Sequence, residues 1–246
     1  MISICVVTHN QLSHTQKCLD AILNWTDVEF ELTVCDSGSS DGTPEFLSNL
    51  AEQPQLPGKI TKYEFVHFTE NVGAAIAYNE AFSRSKSDVI IRIDNDVVVP
   101  YGWASRLLEV LGSDPQLGML TTELVCDTET EIGVFSGRIQ YVEQPVWHDC
   151  GIGSWCIAMR REMFDQVGVY RPLFGVYALQ DNDLEKRAQN VGWRLGTLLG
   201  LKVRHLYSME TPDEAEYNTW KIQQYNSQIE SWNAIWGKDN QDVPME

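Results

Sequence analysis

The sequence predicts an α/β protein built on an open, mostly parallel sheet flanked by helices. Three observations lead there. Strand-like and helix-like segments alternate through the N-terminal part, the signature of strand–helix–strand crossovers. The opening segment Ile2–Thr8 is a continuous apolar run, as in a strand covered on both faces. Three polar segments, Thr8-His9-Asn10, Asp36-Ser37-Gly38-Ser39-Ser40 and Asp94-Asn95-Asp96, each follow such a run. In open α/β sheets ligands bind beyond the carboxyl ends of the strands, so three polar loops on one rim predict a site.

The elements follow in order. Ser13-His14-Thr15-Gln16 has the form of a capping box and is expected to open a helix toward Asn24. Glu31–Cys35 reads as the second strand. Thr43 before Pro44 reads as an N-cap with proline at the first helical position. Gln53–Gly58, with Pro54 and Pro57, is a loop, and Lys62–His67 a third strand. Asn71–Arg84 is an alanine-rich helix, Asp88–Asp94 a fourth strand and Trp103–Leu111 another helix. Past residue 112 the alternation loosens. Gly118–Thr122 and Cys156–Arg160 read as strands, Arg161–Val167 and Gln180–Asn190 as helices, and Val203–Tyr207 as the last strand. Pro212–Trp236 reads as a helical tail. Its aromatics Tyr217, Trp220, Tyr225, Trp232 and Trp236 recur at roughly helical spacing, which is a packing pattern. Neither a repeat nor a linker interrupts the chain, so one domain over 1–207 and a tail over 208–246 are expected.

Composition narrows the function. Thirty-five acids against eighteen bases give the 246-residue chain a net charge of −17. Phosphate backbones repel such a chain, which disfavours nucleic acid as a partner unless Arg187, Arg194, Lys202 and Arg204 form a local basic patch. No window reaches the roughly 18 consecutive apolar residues of a membrane helix, so no membrane anchor is expected. The N-terminus lacks the basic region and cleavage site of a signal peptide. Of the six cysteines none forms a C-x-x-C pair. Cys5 and Cys35 lie in apolar runs, and Cys150 and Cys156 are expected as free thiols. These features predict a cytoplasmic location.

Asp94-Asn95-Asp96 is the sharpest local signal. Two carboxylates two positions apart follow the apolar Ile90-Ile91-Arg92-Ile93 and precede Val97-Val98-Val99-Pro100. Mg²⁺ or Mn²⁺ takes a few carboxylate oxygens together with those of a phosphate, and a nucleoside diphosphate needs its charge neutralised before it can leave.

Five motifs in order carry a resemblance. Ser3–Asn10, Glu31–Thr43, Asn71-Val72-Gly73, Asp94-Asn95-Asp96, and Gly153–Gly168 with Gln180-Asp181-Asn182-Asp183-Leu184 resemble family 2 glycosyltransferases of the GT-A fold, from about Ile2 to Tyr207. The resemblance implies a GT-A, Rossmann-like nucleotide-diphospho-sugar transferase fold, with a nucleotide-sugar half over 1–112 and an acceptor half over 113–207. It implies a metal-dependent enzyme that moves a sugar from a nucleotide diphosphate sugar to an acceptor hydroxyl, usually with inversion. Thr8, Asn10, Asp36, Asn71, Gly73, Asp94 and Asn95 would bind the donor. Asp96 would bind Mn²⁺ or Mg²⁺ directly, with Asp94 holding ribose or a metal-bound water, and His205 is either a third metal ligand or a bystander. Asp181 is the candidate general base, and Asp183 a supporting or structural acid. Trp155 and Trp147 suit an acceptor platform.

Two departures stand out. Ser37 stands where many members have a second acid, which leaves the donor base open. Gln180 stands where the family often has Glu, removing a like charge that would raise the pKa of Asp181. Two other readings fit the residues: a non-catalytic nucleotide- or sugar-binding module on this fold, and a sugar-1-phosphate nucleotidyltransferase. The second expects a glycine-rich basic loop where Thr8-His9-Asn10-Gln11-Leu12 stands.

Overall fold

The computed structural model describes residues 1–125, 138–141, 152–206 and 212–237. In chain order the elements are β1 (Ile2–Thr8), α1 (Leu12–Trp25), β2 (Phe30–Ser37), α2 (Thr43–Ala51), β3 (Ile60–Phe68), α3 (Ala74–Arg84), β4 (Val89–Asp94) and β5 (Val97–Val98). Then follow α4 (Trp103–Ser113), β6 (Leu117–Val125), β7 (Arg138–Tyr141), β8 (Cys156–Arg160), α5 (Arg161–Val167), α6 (Gln180–Asn190), β9 (Arg194–His205) and α7 (Pro212–Trp236). Trp147, Cys126 and Cys150 lie outside the described residues.

The strands form one sheet in the order β3-β2-β1-β4-β8-β6-β9-β5, with β7 paired to β9. The pairs β1–β2, β2–β3 and β1–β4 are parallel. Further on the sheet is mixed: β8 runs antiparallel to both β4 and β6, β6 and β9 are parallel, and β5 and β7 run antiparallel to β9. The open α/β sheet is as expected, but its second half is more antiparallel than the sequence suggested, because β8 enters without a helical crossover to β4.

Side chains alternate across each strand, so each feeds two cores. Ile2, Ile4 and Val6 of β1 pack with Leu19 and Ile22 of α1, Leu47 of α2 and Trp103 and Leu107 of α4. Cys5 packs on the other face with Tyr78 and Phe82 of α3, Phe164 of α5 and Leu184 of α6. This double cover explains the unbroken apolar run of β1.

The order in which strands are added reverses at β1. β2 and β3 lie on one side of β1 and β4 on the other, so a crevice opens beyond the carboxyl ends of β1 and β4. Val7 is in register with Asp94 there. Three helix starts differ from expectation. Helix α3 begins at Ala74 rather than Asn71. The Ser13 capping box does not form: α1 begins at Leu12 after Asn10 and Gln11 in left-handed conformation, and Asp41 accepts the Leu12 N–H at 2.9 Å. Helix α2 starts one residue early, and Thr43 donates to Asp41 rather than capping.

Candidate active site

The crevice is a cavity of about 1060 Å³. Of the residues singled out from the sequence, Asn10, Asn71, Asp94, Asn95, Asp96, Trp155, Asp181 and His205 line it. Thr8, Asp36, Gly73 and Asp183 do not. Thr8 is buried, its hydroxyl 2.9 Å from that of Thr15. Asp36 is fully buried, held by His67 Nδ1 at 2.8 Å and by the Ser39 N–H and hydroxyl, so it shapes the loop after β2. Gly73 packs on the backbone of Val176: a Cβ there would sit 2.6 Å from the Val176 Cα. Asp183 is fully buried between Arg171 and Arg187 and accepts a hydrogen bond from Trp236 Nε1 at 3.1 Å. It is an anchor for α7.

Arg92 organises the floor. It shares a strand face with Asp94, two residues on, and is buried within β4. Its Nη2 donates to Asp94 Oδ1 at 3.0 Å, and its Nη1 donates to Asp181 Oδ1 and, at 2.8 Å, to the Tyr170 hydroxyl. Tyr170 in turn donates to Asp181 Oδ1 at 2.6 Å, and Tyr78 to Asp94 Oδ1 at 3.0 Å. The guanidinium also lies 4.3 Å from the centroid of the Tyr78 ring. Burial pushes the Asp181 carboxyl up, and the opposing pull of Arg92 and Tyr170 does not fully offset it, so it sits above the ordinary carboxylate value. The acid lost at Gln180 has a counterpart one turn along: Glu185 lines the same cavity, and burial pushes its carboxyl well above the usual range. Gln180 Nε2 donates to Asp181 Oδ2 at 3.3 Å.

A second acid centre lies at Asp96. The two-residue strand β5 pairs Val97 with His205, and the Leu206 N–H donates to the Asp96 carbonyl at 2.7 Å. That pairing brings His205 Nε2 to 3.3 Å from Asp96 Oδ2. Burial works to raise the Asp96 carboxyl, but its contacts with His205 outweigh burial and hold it below the usual value. His205 is the converse: burial lowers the imidazole, Asp96 outweighs burial, and the value ends raised. Asp96 Oδ1 is buried with no hydrogen-bond partner among the described residues. A buried carboxylate oxygen without a donor is costly unless a cation meets it. Among the described residues no three His, Cys, Asp or Glu side chains converge as a ready-made cage. The donor set is thus a carboxylate and an imidazole with coordination positions left for ligand oxygens, which fits Mn²⁺ or Mg²⁺ shared with a diphosphate.

The remaining wall comes from Trp155 and from residues the sequence reading did not place at the site. Trp155 Nε1 donates to the Thr122 carbonyl at 3.1 Å, while its own carbonyl accepts from the Asp94 N–H at 3.0 Å. Tyr177, Trp220, Lys221 and Tyr225 also face the cavity. Ala178 and Leu179 take positive φ values, 87° and 61°, immediately before α6. Such backbone costs on the order of 1–3 kcal/mol per residue and clusters at functional sites. Arg187 and Arg194 are paired with Asp183 and Asp114, and none of the four bases of the expected basic patch lines the cavity.

An acidic pair at the β1–β4 crevice, facing a further carboxylate at the start of α6, defines this as a GT-A-type glycosyltransferase fold. The chain belongs to glycosyl transferase family 2, whose family model matches residues 3–168. It is 23% identical over 232 residues to poly-beta-1,6-N-acetyl-D-glucosamine synthase of Staphylococcus epidermidis, an alignment covering 90% of this chain and 50% of that protein. The chain thus spans about half the length of that relative. Among solved structures it resembles the mannosyltransferase PcManGT of Pyrobaculum calidifontis in complex with GDP-Man and Mn²⁺, with a TM-score of 0.65, 20% identity, and coverage of 91% of this chain and 60% of that one. GalNAc-T7 with UDP, GalNAc and Mn²⁺ aligns with a TM-score of 0.67 and 14% identity, over 94% of this chain and 47% of that one. At these identities the structures show a shared fold.

Proposed function

We propose that this chain is the catalytic domain of a metal-dependent glycosyltransferase that passes a sugar from a nucleoside diphosphate to an acceptor hydroxyl with inversion. The observation that carries it is the placement of Asp181 and the Asp96–His205 pair in one cavity at the β1–β4 crevice. Asp96 and His205 would hold Mn²⁺ or Mg²⁺, and Mn²⁺ is present in the two complexes of similar fold. A divalent ion bound there supplies Lewis-acid neutralisation of the departing diphosphate. Asn10 and Asn71 offer amides to the nucleoside, and Asp94 offers one carboxylate oxygen beyond the one held by Arg92 and Tyr78.

Asp181 acts as the base. Its Oδ1 is held by Arg92 and Tyr170, which fixes the carboxylate plane, while Oδ2 has a longer 3.3 Å contact from Gln180. Oδ2 takes the proton of the acceptor hydroxyl as that oxygen attacks the anomeric carbon. Its raised pKa makes it a stronger base than an exposed aspartate. Attack from the side opposite the diphosphate gives inversion.

The test is a screen of UDP, GDP, dTDP and CDP sugars by thermal shift, with and without Mn²⁺, followed by turnover assays with the donor that binds. A rise in Tm that needs both nucleotide and metal supports the reading. Tight binding with no hydrolysis or transfer on any acceptor would instead make this a binding module, and no binding by any donor would refute it. Among the described residues no helix is long and apolar enough to cross a membrane.

A further inference from the structure

We infer that Lys221, carried by the tail helix α7, is a ligand of the donor's diphosphate, so that α7 is part of the donor site; this rests on the function proposed above. The first argument is charge. Asp94, Asp96 and Asp181 line the cavity together with the basic side chains Arg92, His205 and Lys221. Arg92 is buried and engaged by Asp94 and Asp181 at once. A nucleoside diphosphate brings further negative charge into that field. An ion at Asp96 would offset part of it, and the Lys221 ammonium on the cavity wall can meet the rest. The second argument is position. Lys221 lines the same cavity as Asp96 and His205, the two residues assigned to the metal. A diphosphate held there would have the ammonium on the same cavity wall, and a point charge on a flexible stem suits phosphate oxygens.

The third argument is that α7 is fixed on the domain. Trp232 is buried against Phe174, Ala178 and Leu179, and Trp236 donates to the fully buried Asp183. One turn from Lys221 along the helix, Tyr225 faces the same cavity, and the Lys221 ammonium lies 5.5 Å from the centroid of the Tyr177 ring. The same segment that leads into Asp181 thus docks the helix carrying Lys221.

The experiment is calorimetric titration of the full chain in Mn²⁺ with UDP, UMP, GDP and GMP, for the unaltered protein, Lys221→Ala and Lys221→Arg. A charge-assisted contact to the diphosphate predicts that Lys221→Ala weakens binding of the preferred diphosphate by about tenfold or more. Monophosphate binding should change far less, and Lys221→Arg should recover most of the loss. Equal losses for mono- and diphosphate, no loss for either, or failure of the arginine variant to recover would each overturn the assignment. Matching thermal melts for the arginine and unaltered proteins keep the comparison clear of folding. If the unaltered chain binds none of the four nucleotides, the glycosyltransferase reading itself falls; if it binds a diphosphate that Lys221→Ala binds equally well, only the role of Lys221 does.

Discussion

Asp94 and Asp181 accept hydrogen bonds from the two Nη atoms of one guanidinium, that of Arg92. One carboxylate ends β4 and the other opens α6, so a single buried cation ties the acid after the fourth strand to the acid proposed as base. Buried ion clusters are weak sources of stability, because desolvation costs several kcal/mol per ion and mutual attraction roughly offsets it. A core of apolar side chains would hold β4 against α6 as well. The arrangement makes physical sense as a device that counters the burial of Asp181 and keeps it oriented and close to the crevice.

Substituting Asp181 by Asn should lower the transfer rate by about 10²–10⁴-fold, the usual worth of a positioned base. Nucleotide affinity should hold within a small factor, because the amide keeps the shape. Initial rates and calorimetry on the same preparation check both halves. A variant that transfers sugar at the original rate would remove Asp181 from the mechanism.

The acid limb of the pH–rate profile should lie above that of an ordinary aspartate, since burial raises Asp181. Tyr170→Phe removes a hydrogen bond that favours the anion. Its carboxyl should rise further, moving the acid limb to higher pH by about one unit. An unmoved limb, or one moved to lower pH, would show that another group controls it.

The Asp96–His205 pair sets a pH window for the metal-free fold. Asp96 is depressed, so its contribution is present above the ordinary carboxylate value and is lost as pH falls through its lowered one. His205 is raised, so its contribution is complete below the ordinary imidazole value and is lost as pH rises through its raised one. Melting curves across pH should show the benefit of the pair between those limits, and His205→Ala should abolish the alkaline edge. With His205 as the proposed ligand, Mn²⁺ would compete with its proton, so metal affinity should climb with pH across the same edge. His205→Ala should weaken Mn²⁺ at least as much as loss of an outer-shell partner, roughly 10-fold. A manganese titration of activity reads it.

Gly73→Ala should destabilise the chain by about 1–3 kcal/mol without touching the chemistry, because the new methyl meets the Val176 backbone and φ is +80°. Chemical denaturation measures it. A neutral result would mean that the 174–179 segment yields easily.

Much of this was legible in the residues. The ends of β8, α5, α6 and α7 fall where residue patterns place them, because each boundary carries local chemistry. Strand β9 was seen only at its C-terminal end. Its earlier part, Arg194–Lys202, holds two glycines and little alternation, and it becomes a strand by pairing with β6 and β7. The rim acids could be found because carboxylates after an apolar run stand out. Arg92 could not be read as a partner of Asp181, since no spacing in a sequence joins residues that meet only when β4 packs on α6. The tail aromatics divide: Trp232 and Trp236 are packing, as their spacing suggested, while Trp220 and Tyr225 face the cavity. Helical periodicity reports which residues share a face and is silent on what that face meets.

The bridge between β5 and β9 has a consequence for recombination. Val97 directly follows Asp96, His205 closes β9, and their register is what seats imidazole against carboxylate. Exchanging the later portion with that of a cousin to graft a new acceptor preference would therefore also import that cousin's residue in place of His205, the cation ligand proposed above, and its strand partner. Hybrids joined before residue 205 should take the imidazole position from one parent and base preference from the other, and crossover points chosen after residue 206 would keep the two together.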